Sequence, residues 1–353
     1  MSVTNALFDR LPELRDQVPW TALADTPTPI FELPAPPGFR GRLFAKCDDL
    51  TSTLFGGNKV RKFEYLLADA ERLGARSLVT MGGIGSNQAL GAALHGRARG
   101  LAVDLSLVRQ PVTEGVRRCL GGMVAAGARI RYADSKLGGL RNVRRALRER
   151  RRAGEHPYSI PFGATNALGA LGYVTAALEF GAQVQAGACP RPDALFVAAG
   201  SCGTAAGLLV GFRLAGLATR VIAVGVVSGA LVTRALVVWH ANHAAALLSR
   251  IAPSPPRLRF SWRDVTVLGE YLGPGYGQAT PAAQRAVDWA RPHLTLETTY
   301  TGKALAACLE HCGPGASERA VLFWNTNNAS QFPTATGLDG LPDRLQRLLK
   351  EHP

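Results

Sequence analysis

The chain has 353 residues, which is enough for about two domains, and 47% of them are hydrophobic while 19% are charged. This composition excludes a disordered protein, and no run approaches the roughly 20 uncharged apolar residues that a membrane-spanning helix requires. The net charge is +14, and much of the excess lies in the run 141–155, RNVRRALRERRRAGE. That run lacks the interleaved aromatic residues that stack on bases, so we interpret it as a solvated helix face. We expect neither a nucleic-acid nor a membrane partner.

The N-terminal sequence MSVTNALFDRLPELRDQV carries charges throughout and lacks the apolar core of a secretory signal peptide. The 6 cysteines are scattered, without a CxxC pair, at a density too low for a disulfide scaffold. These features favour a cytoplasmic location. No metal site is predicted, because the histidine pair His240 and His243 lacks nearby carboxylates.

The predicted elements begin after a proline-rich segment, 26–41, which is interpreted as an extended surface lead-in. Short apolar runs then alternate with helical patterns, and the strands are predicted at 77–83, 103–108, 129–134, 157–163, 194–200 and 220–227. Uninterrupted apolar strands separated by helices indicate parallel sheets buried on both faces. The sequence therefore predicts an α/β fold of doubly wound layers, with ligands bound where strands end and helices begin.

One such turn is GSCGTAAG, 200–207, between an apolar strand and a helix. Small residues let the backbone N–H groups of Gly200 and Gly203 face an anion at a helix N-terminus, and Ser201 and Thr204 add hydroxyls. The turn predicts a phosphate site, although it matches neither the P-loop nor the GxGxxG spacing. An ordinary glycine-rich connection is the alternative, and Cys202 is interpreted as a small packing residue.

Two further turns carry polar side chains. GGIGSNQ, 82–88, presents Ser86, Asn87 and Gln88 to a carboxylate or a ring oxygen, with an ordinary helix cap as the alternative.

FGGNKVRKFEYLL, 55–67, places Lys59 at the head of a helix, where the helix dipole favours a neutral amine. Lys62 lies one turn further on, and the alternative for both is a solvated surface lysine. A phosphate site, a carboxylate site and a lysine at a helix start are the parts that pyridoxal phosphate requires.

The chain resembles the family of D-cysteine desulfhydrases and 1-aminocyclopropane-1-carboxylate deaminases, which are pyridoxal-phosphate enzymes of the tryptophan-synthase-β-like group, fold type II. The resemblance runs from about residue 20 to about 330 and rests on the following motifs: GGNKVRKFEYLLADA, GGIGSNQ, IPFGATNALGALGYVTAALE, AAGSCGTAAGL, GPGYG and TYTGKALA. It implies two α/β domains, a smaller one at 62–163 inserted into a larger one made of 1–61 and 164–353. It also implies a homodimer.

The resemblance further implies roles for single residues. Lys59 would bond to the cofactor's aldehyde carbon and later act as a base. The phosphate would be held by Lys62 together with the turn formed by Gly200, Ser201, Cys202, Gly203 and Thr204. Asn87 would bind the ring hydroxyl oxygen, and Ser86 with Gln88 the carboxylate of the substrate. Tyr276 and Tyr300 would face the substrate, and Thr326 would approach the pyridine nitrogen.

Two positions distinguish the two branches of this family, the desulfhydrases and the deaminases. Thr301 and Thr326 stand where the deaminases have a glutamate and a leucine, so the pattern is closer to that of the desulfhydrases. The function expected is α,β-elimination from a small amino acid such as D-cysteine, giving a 2-oxo acid and ammonia. The alternatives are ring opening of the cyclopropane substrate, a lyase or β-replacement reaction on a specialised metabolite, and cofactor binding without catalysis.

The sequence departs from the family where Asn327 and Asn328 replace the usual Gly-Gly. We expect the two amides to crowd the edge of the cofactor.

Overall fold

The structure, a computed structural model, describes residues 4–252, 258–313, 317–335, 337 and 340–352. The strands are β1 Ile30–Leu33, β2 Arg42–Cys47, β3 Ser77–Gly83, β4 Ala102–Val108, β5 Arg129–Ala133, β6 Pro157–Ser159, β7 Ala194–Ala199, β8 Arg220–Gly225, β9 Val265–Leu268 and β10 Ala320–Asn325. The helices are α1 Ala6–Arg10, α2 Asn58–Arg72, α3 Asn87–Ala98, α4 Glu114–Ala125, α5 Lys136–Arg152, α6 Ala167–Gln185, α7 Gly203–Leu214, α8 Arg234–Ile251, α9 Pro281–Ala290, α10 Thr301–His311 and α11 Asp343–Glu351. Within these ranges no helix is both long enough and apolar enough to cross a bilayer.

The chain forms two compact units. The first comprises the described residues of Met1–Ser52, Gly56–Tyr65 and Thr165–Ala329. The second comprises Thr53–Phe55, Leu66–Ala164 and the described residues of Ser330–Pro353. The division of the sequence at 62–163 stays a prediction.

The first unit contains a six-stranded sheet in the order β1-β2-β10-β7-β8-β9. Only β1 is antiparallel to its neighbour, and every other pair is parallel. All six residues of β7 and of β10 are buried. Successive side chains of a strand point to opposite faces, so the sheet is covered on both sides.

The second unit contains a four-stranded sheet in the order β5-β4-β3-β6, in which all pairs are parallel. Together the two sheets confirm the predicted α/β class with mainly parallel strands. The proline-rich segment differs from its prediction, because it contains β1, whose residues Ile30–Leu33 pair with the edge of β2. An edge strand tolerates flanking prolines because only one side of it donates hydrogen bonds to a neighbour.

The first part of helix α2, which belongs to the first unit, is held there by a buried arginine. Arg61 is 1% exposed and donates to two carboxylates, with Nη2 at 2.7 Å from Oδ1 of Asp48 and Nη1 at 2.8 Å from Oε2 of Glu179. Lys46 lies 2.5 Å from the other oxygen of Glu179. Two buried cations therefore face two buried anions, which makes this group neutral and satisfies its hydrogen bonds.

The second oxygen of Asp48 joins the group to the rest of the unit. It accepts hydrogen bonds from the hydroxyl of Tyr173 at 2.6 Å and from the indole of Trp324 at 2.7 Å. Burial opposes the charge of Glu179, but Arg61 and Lys46 lower its pKa to about 2. Because this pKa lies below the ordinary 4.5, the stability that Glu179 contributes is complete above about pH 4.5 and is lost as the pH falls through about 2.

Replacing Arg61 by Met should leave two carboxylates buried without their main counter-charge. We expect the free energy of unfolding to fall by about 3–5 kcal/mol, measured by urea denaturation at pH 7. The matched control is Arg42→Met, which removes an exposed ion pair with Glu32 and should leave the urea midpoint almost unchanged. Equal effects of the two substitutions would contradict this account of α2.

Candidate active site

The lysine at the start of α2 is presented by a turn that lies against the end of β10. The amide of Asn58 donates to the carbonyl of Thr326 at 3.3 Å. Gly57 has φ +83°, and a Cβ there would lie 2.5 Å from the carbonyl oxygen of Asn327. Only glycine fits such a conformation at this distance, which explains the glycine before the helix. Burial lowers the pKa of Lys59 to about 8.

Lys62 lies one helical turn after Lys59 and is fully buried. Its Nζ donates to Oγ1 of Thr165 at 3.1 Å, and this hydroxyl is 2.8 Å from Oγ of Ser201. Burial, together with the nearby charge of Lys59, lowers the pKa of Lys62 well below its ordinary value. A cation held among hydroxyls in this way would gain most from an anionic ligand.

The turn from Gly200 to Thr204 connects β7 to α7 and meets Lys62. A Cβ at Gly203 would lie 3.0 Å from Nζ of Lys62 and 2.5 Å from Oγ1 of Thr165, so a side chain there would fill the space between them. Thr204 accepts a hydrogen bond from Nδ2 of Asn58 at 3.2 Å. We call the group formed by Lys62, Thr165 and residues 200–204 the anion cradle.

Cys202 has a left-handed backbone within the anion cradle, with φ +64°. Its side chain is 2% exposed and its thiol contacts the carbonyl of Leu231 at 3.6 Å. Burial raises the pKa of the thiol to about 11, so the thiol is neutral at physiological pH. These contacts agree with the interpretation of Cys202 as a packing residue, in a conformation that glycine adopts at lower cost.

The two predicted tyrosines lie together. The hydroxyls of Tyr276 and Tyr300 form a hydrogen bond, and the rings pack edge to face with centroids 5.9 Å apart. Tyr300 also borders the anion cradle, because a Cβ at Gly200 would lie 3.9 Å from its ring. The structure thus brings Tyr300 close to the turn that follows β7.

Two residues that the sequence analysis missed hold these tyrosines. The carboxylate of Glu297 accepts the amides of Thr299 at 2.6 Å, Tyr300 at 2.9 Å and Thr301 at 2.9 Å. Lys303 donates to the carbonyl of Leu272 at 2.8 Å, just before the GPGYG turn. An acidic side chain near the start of a helix can accept hydrogen bonds from the free backbone amides there. The acidic residue in the ETTYTGK motif could therefore have identified Glu297 from the sequence.

The turn with Ser86, Asn87 and Gln88 belongs to the second unit, whereas the lysines and the anion cradle belong to the first. Ser86 caps α3 by accepting the amide of Ala89 at 3.3 Å. Gln88 is 3% exposed and donates to Oγ1 of Thr80 at 2.7 Å. Its buried Oε1 has no hydrogen-bond partner among the described residues. The helix cap foreseen as the alternative is present, and the carboxylate-binding role stays a prediction.

Comparison with known proteins decides the family. The model for "pyridoxal-phosphate dependent enzyme" matches residues 21–326. The chain belongs to this family of pyridoxal-phosphate-dependent enzymes. A D-cysteine desulfhydrase of Klebsiella pneumoniae (strain 342) is 33% identical over 322 residues, which cover 88% of this chain and 94% of that protein.

Two solved structures share the fold of this chain. A crystal structure of an ACC deaminase homologue superposes with a TM-score of 0.77 and 27% identity, covering 93% of this chain and 96% of that one. O-acetylserine sulfhydrylase isoform 3 of Entamoeba histolytica has a TM-score of 0.58 and 14% identity, covering 87% and 92%. The latter likeness shows the fold alone.

The residues present fit pyridoxal phosphate. The anion cradle offers a buried lysine amine, three hydroxyls and a helix N-terminus to a phosphate, and Gly203 has no side chain to fill the space beside Lys62 and Thr165. Lys59 has the lowered pKa that an amine requires to react with an aldehyde. Thr326, 8% exposed at the end of β10, would supply a hydroxyl to the ring nitrogen.

Replacing Lys59 by Ala should abolish covalent attachment of the cofactor while the anion cradle still binds its phosphate. The measurement is borohydride reduction followed by mass spectrometry, which should map a cofactor adduct to Lys59 in the parent protein and find none in the variant. The control is Lys136→Ala, an exposed lysine on α5, which should keep the adduct. A cofactor adduct at any other lysine of the parent would refute the assignment.

Proposed function

We propose that the protein catalyses α,β-elimination from a small amino acid, with D-cysteine or an analogue as the substrate. D-cysteine and water would give pyruvate, ammonia and hydrogen sulfide. The observation that carries the proposal is a lysine, Lys59, whose pKa burial lowers to about 8, one helical turn before Lys62 of the anion cradle, which Tyr300 also borders. The likeness to a D-cysteine desulfhydrase supports it.

The chemistry that pyridoxal phosphate supplies when bound is withdrawal of electrons from the α-carbon of the substrate. Lys59 takes the α-proton, and an amine with a pKa near 8 is about half neutral at pH 8, whereas an ordinary lysine is almost fully protonated. Lys62 and the rest of the cradle would hold the phosphate and so would position the substrate for the amine of Lys59. Ser86 and Gln88 are assigned to the substrate carboxylate, and Asn87 to the ring hydroxyl oxygen.

The tyrosine pair is assigned to the leaving group. A thiolate leaves more readily when it receives a proton, and one phenol of a hydrogen-bonded pair donates while the other stabilises the charge that the donor acquires. Glu297 fixes Tyr300 through three backbone amides in series, so the pair is held in one position. In this proposal Lys59 is the base that removes the proton from the α-carbon, and the tyrosine pair is the acid that protonates the leaving group as its bond to the β-carbon breaks.

Tyr276→Phe should slow elimination of hydrogen sulfide from D-cysteine by about 10²-fold or more, since a positioned acid contributes at least that much. Elimination of chloride from β-chloroalanine should slow far less, because chloride leaves without a proton. The measurement is kcat for both substrates in the parent, Tyr276→Phe and Tyr300→Phe. Equal losses for the two leaving groups would show that the tyrosines do not act as the acid.

The reaction itself is tested with a panel of substrates. Purified protein is incubated with D-cysteine, L-cysteine, β-chloroalanine and 1-aminocyclopropane-1-carboxylate, and 2-oxo acid and ammonia are measured. We expect products from D-cysteine and β-chloroalanine. Products from the cyclopropane alone would establish ring opening instead, a candidate favoured by the likeness to an ACC deaminase homologue. Cofactor binding without any product would establish a non-catalytic protein.

Thr301 and Thr326, which stand where the deaminases have a glutamate and a leucine, together favour elimination over ring opening. A carboxylate at the ring nitrogen would keep it protonated and strengthen electron withdrawal, as cleavage of a cyclopropane requires. A hydroxyl partner such as Thr326 would leave the nitrogen largely neutral. The weaker electron withdrawal of a neutral ring suffices for β-elimination, because the departing group takes the electrons as it leaves.

The proposal includes a homodimer in the cytoplasm. No disulfide bond joins the 6 cysteines, all of which lie in the described part of the chain, and this agrees with a reducing compartment. The dimer rests on the family resemblance. Light scattering of the purified protein during size-exclusion chromatography measures it directly.

A further inference from the structure

The residues that replace the family's Gly-Gly after β10 are engaged in hydrogen bonds with the chain itself. The side-chain oxygen Oδ1 of Asn328 accepts the amide of Gly56 at 2.7 Å. Gly56 is buried and lies three residues before Lys59. This bond adds to the longer one from Asn58 to Thr326, 3.3 Å, between the same two segments. Asn328 therefore holds the turn that presents Lys59.

Asn327 points to a different neighbour. Its Nδ2 donates to the carbonyl of Thr295 at 3.1 Å, and its own amide donates to Oδ1 of Asn325 at 3.2 Å. Asn325 donates to the same carbonyl of Thr295 at 3.4 Å. Thr295 lies two residues before Glu297, whose carboxylate binds the amide of Tyr300. Asn327 therefore holds the loop that presents the tyrosine.

We propose that Asn328 and Asn327 are two positioning residues with separate tasks, Asn328 for the lysine turn and Asn327 for the tyrosine loop. A Gly-Gly pair has no side chain and could make neither bond. In this proposal both asparagines act through other residues, through Gly56 and through Thr295. The part that concerns Asn327 rests on the proposed role of Tyr300 in elimination.

The two tasks predict different losses. Release of the Gly56 amide would let the turn of Lys59 move, and a displacement of about 1 Å at a reacting group can cost about 10²-fold in rate. It would also weaken the cofactor's covalent attachment. Release of Thr295 would instead disturb protonation of the leaving group and spare the cofactor.

The first variants are Asn328→Ala and Asn328→Asp. We expect Asn328→Ala to weaken cofactor affinity about tenfold in absorbance titrations of apoprotein and to speed hydrogen exchange in residues 55–60. Asn328→Asp keeps an acceptor for Gly56 and should recover most of both. Unchanged affinity and exchange in a folded Asn328→Ala protein would overturn the assignment of Asn328.

The second variants are Asn327→Ala and Asn327→Asp. Both should speed hydrogen exchange in residues 296–302 and lower kcat for D-cysteine about tenfold, with cofactor affinity within about twofold of the parent. Asn327→Asp should restore neither kcat nor the slow hydrogen exchange of the parent, because it places a carboxylate, which can only accept hydrogen bonds, against the carbonyl of Thr295. Recovery by aspartate at 327, or the same loss from both asparagines, would overturn the division of tasks.

A matched control separates positioning from a general loss of stability. Asn242 makes two hydrogen bonds with the backbone of Phe260, 3.0 and 2.9 Å, on helix α8 of the same unit. Asn242→Ala should lower the unfolding midpoint without changing cofactor affinity or kcat. If the parent eliminates none of the substrates, the proposed function fails, while cofactor affinity and hydrogen exchange still decide the inference.

Discussion

The ion pairs of Arg61 are the interactions on which the position of the start of helix α2 in the first unit depends. Arg61 stands between Lys59 and Lys62 in the sequence, and it binds Asp48 and Glu179 in the interior of the first unit. Its charge is fixed, because the two carboxylates raise its pKa well above the ordinary value despite burial. If the guanidinium moved away from these carboxylates, buried charges would be left unpaired at a large cost in free energy. The segment of α2 that contains Lys59 and Lys62 is therefore held in one position relative to Asp48 and Glu179.

The same helix contains cations of two kinds. Arg61 is buried with two carboxylates and keeps its charge. Burial instead lowers the pKa values of Lys59 and Lys62, with no carboxylate contributing to either shift. The difference lies in the residues opposite, since Lys62 faces Thr165 whereas Arg61 faces acids. The helix therefore carries one cation of fixed charge and, on either side of it in the sequence, the two lysines that are proposed to bind the cofactor.

The hydrogen bonds of the two asparagines after β10 suggest a role for this chain's departure from the Gly-Gly of its family. The sequence suggested that Asn327 and Asn328 would crowd the edge of the cofactor. Their side-chain amides are hydrogen-bonded to Thr295 and Gly56, in the two segments that precede Tyr300 and Lys59. In the proposed reaction these bonds would determine how firmly a lysine and a tyrosine are held, while crowding of the cofactor edge stays a prediction.

The sequence by itself determined the class of fold and most of the candidate residues. Apolar runs between helices specify buried parallel strands, and the glycine-rich turns mark where strands give way to helices, so Lys59 and the turn at Gly200 could be located without coordinates. Only the tertiary structure decided which distant groups meet. Arg61 and Glu179 are 118 positions apart, and Gly56 and Asn328 are 272 apart. Hydrophobic periodicity predicts which face of a helix or strand is buried, but it does not predict which polar residue a buried side chain will contact. That contact depends on how the whole unit packs.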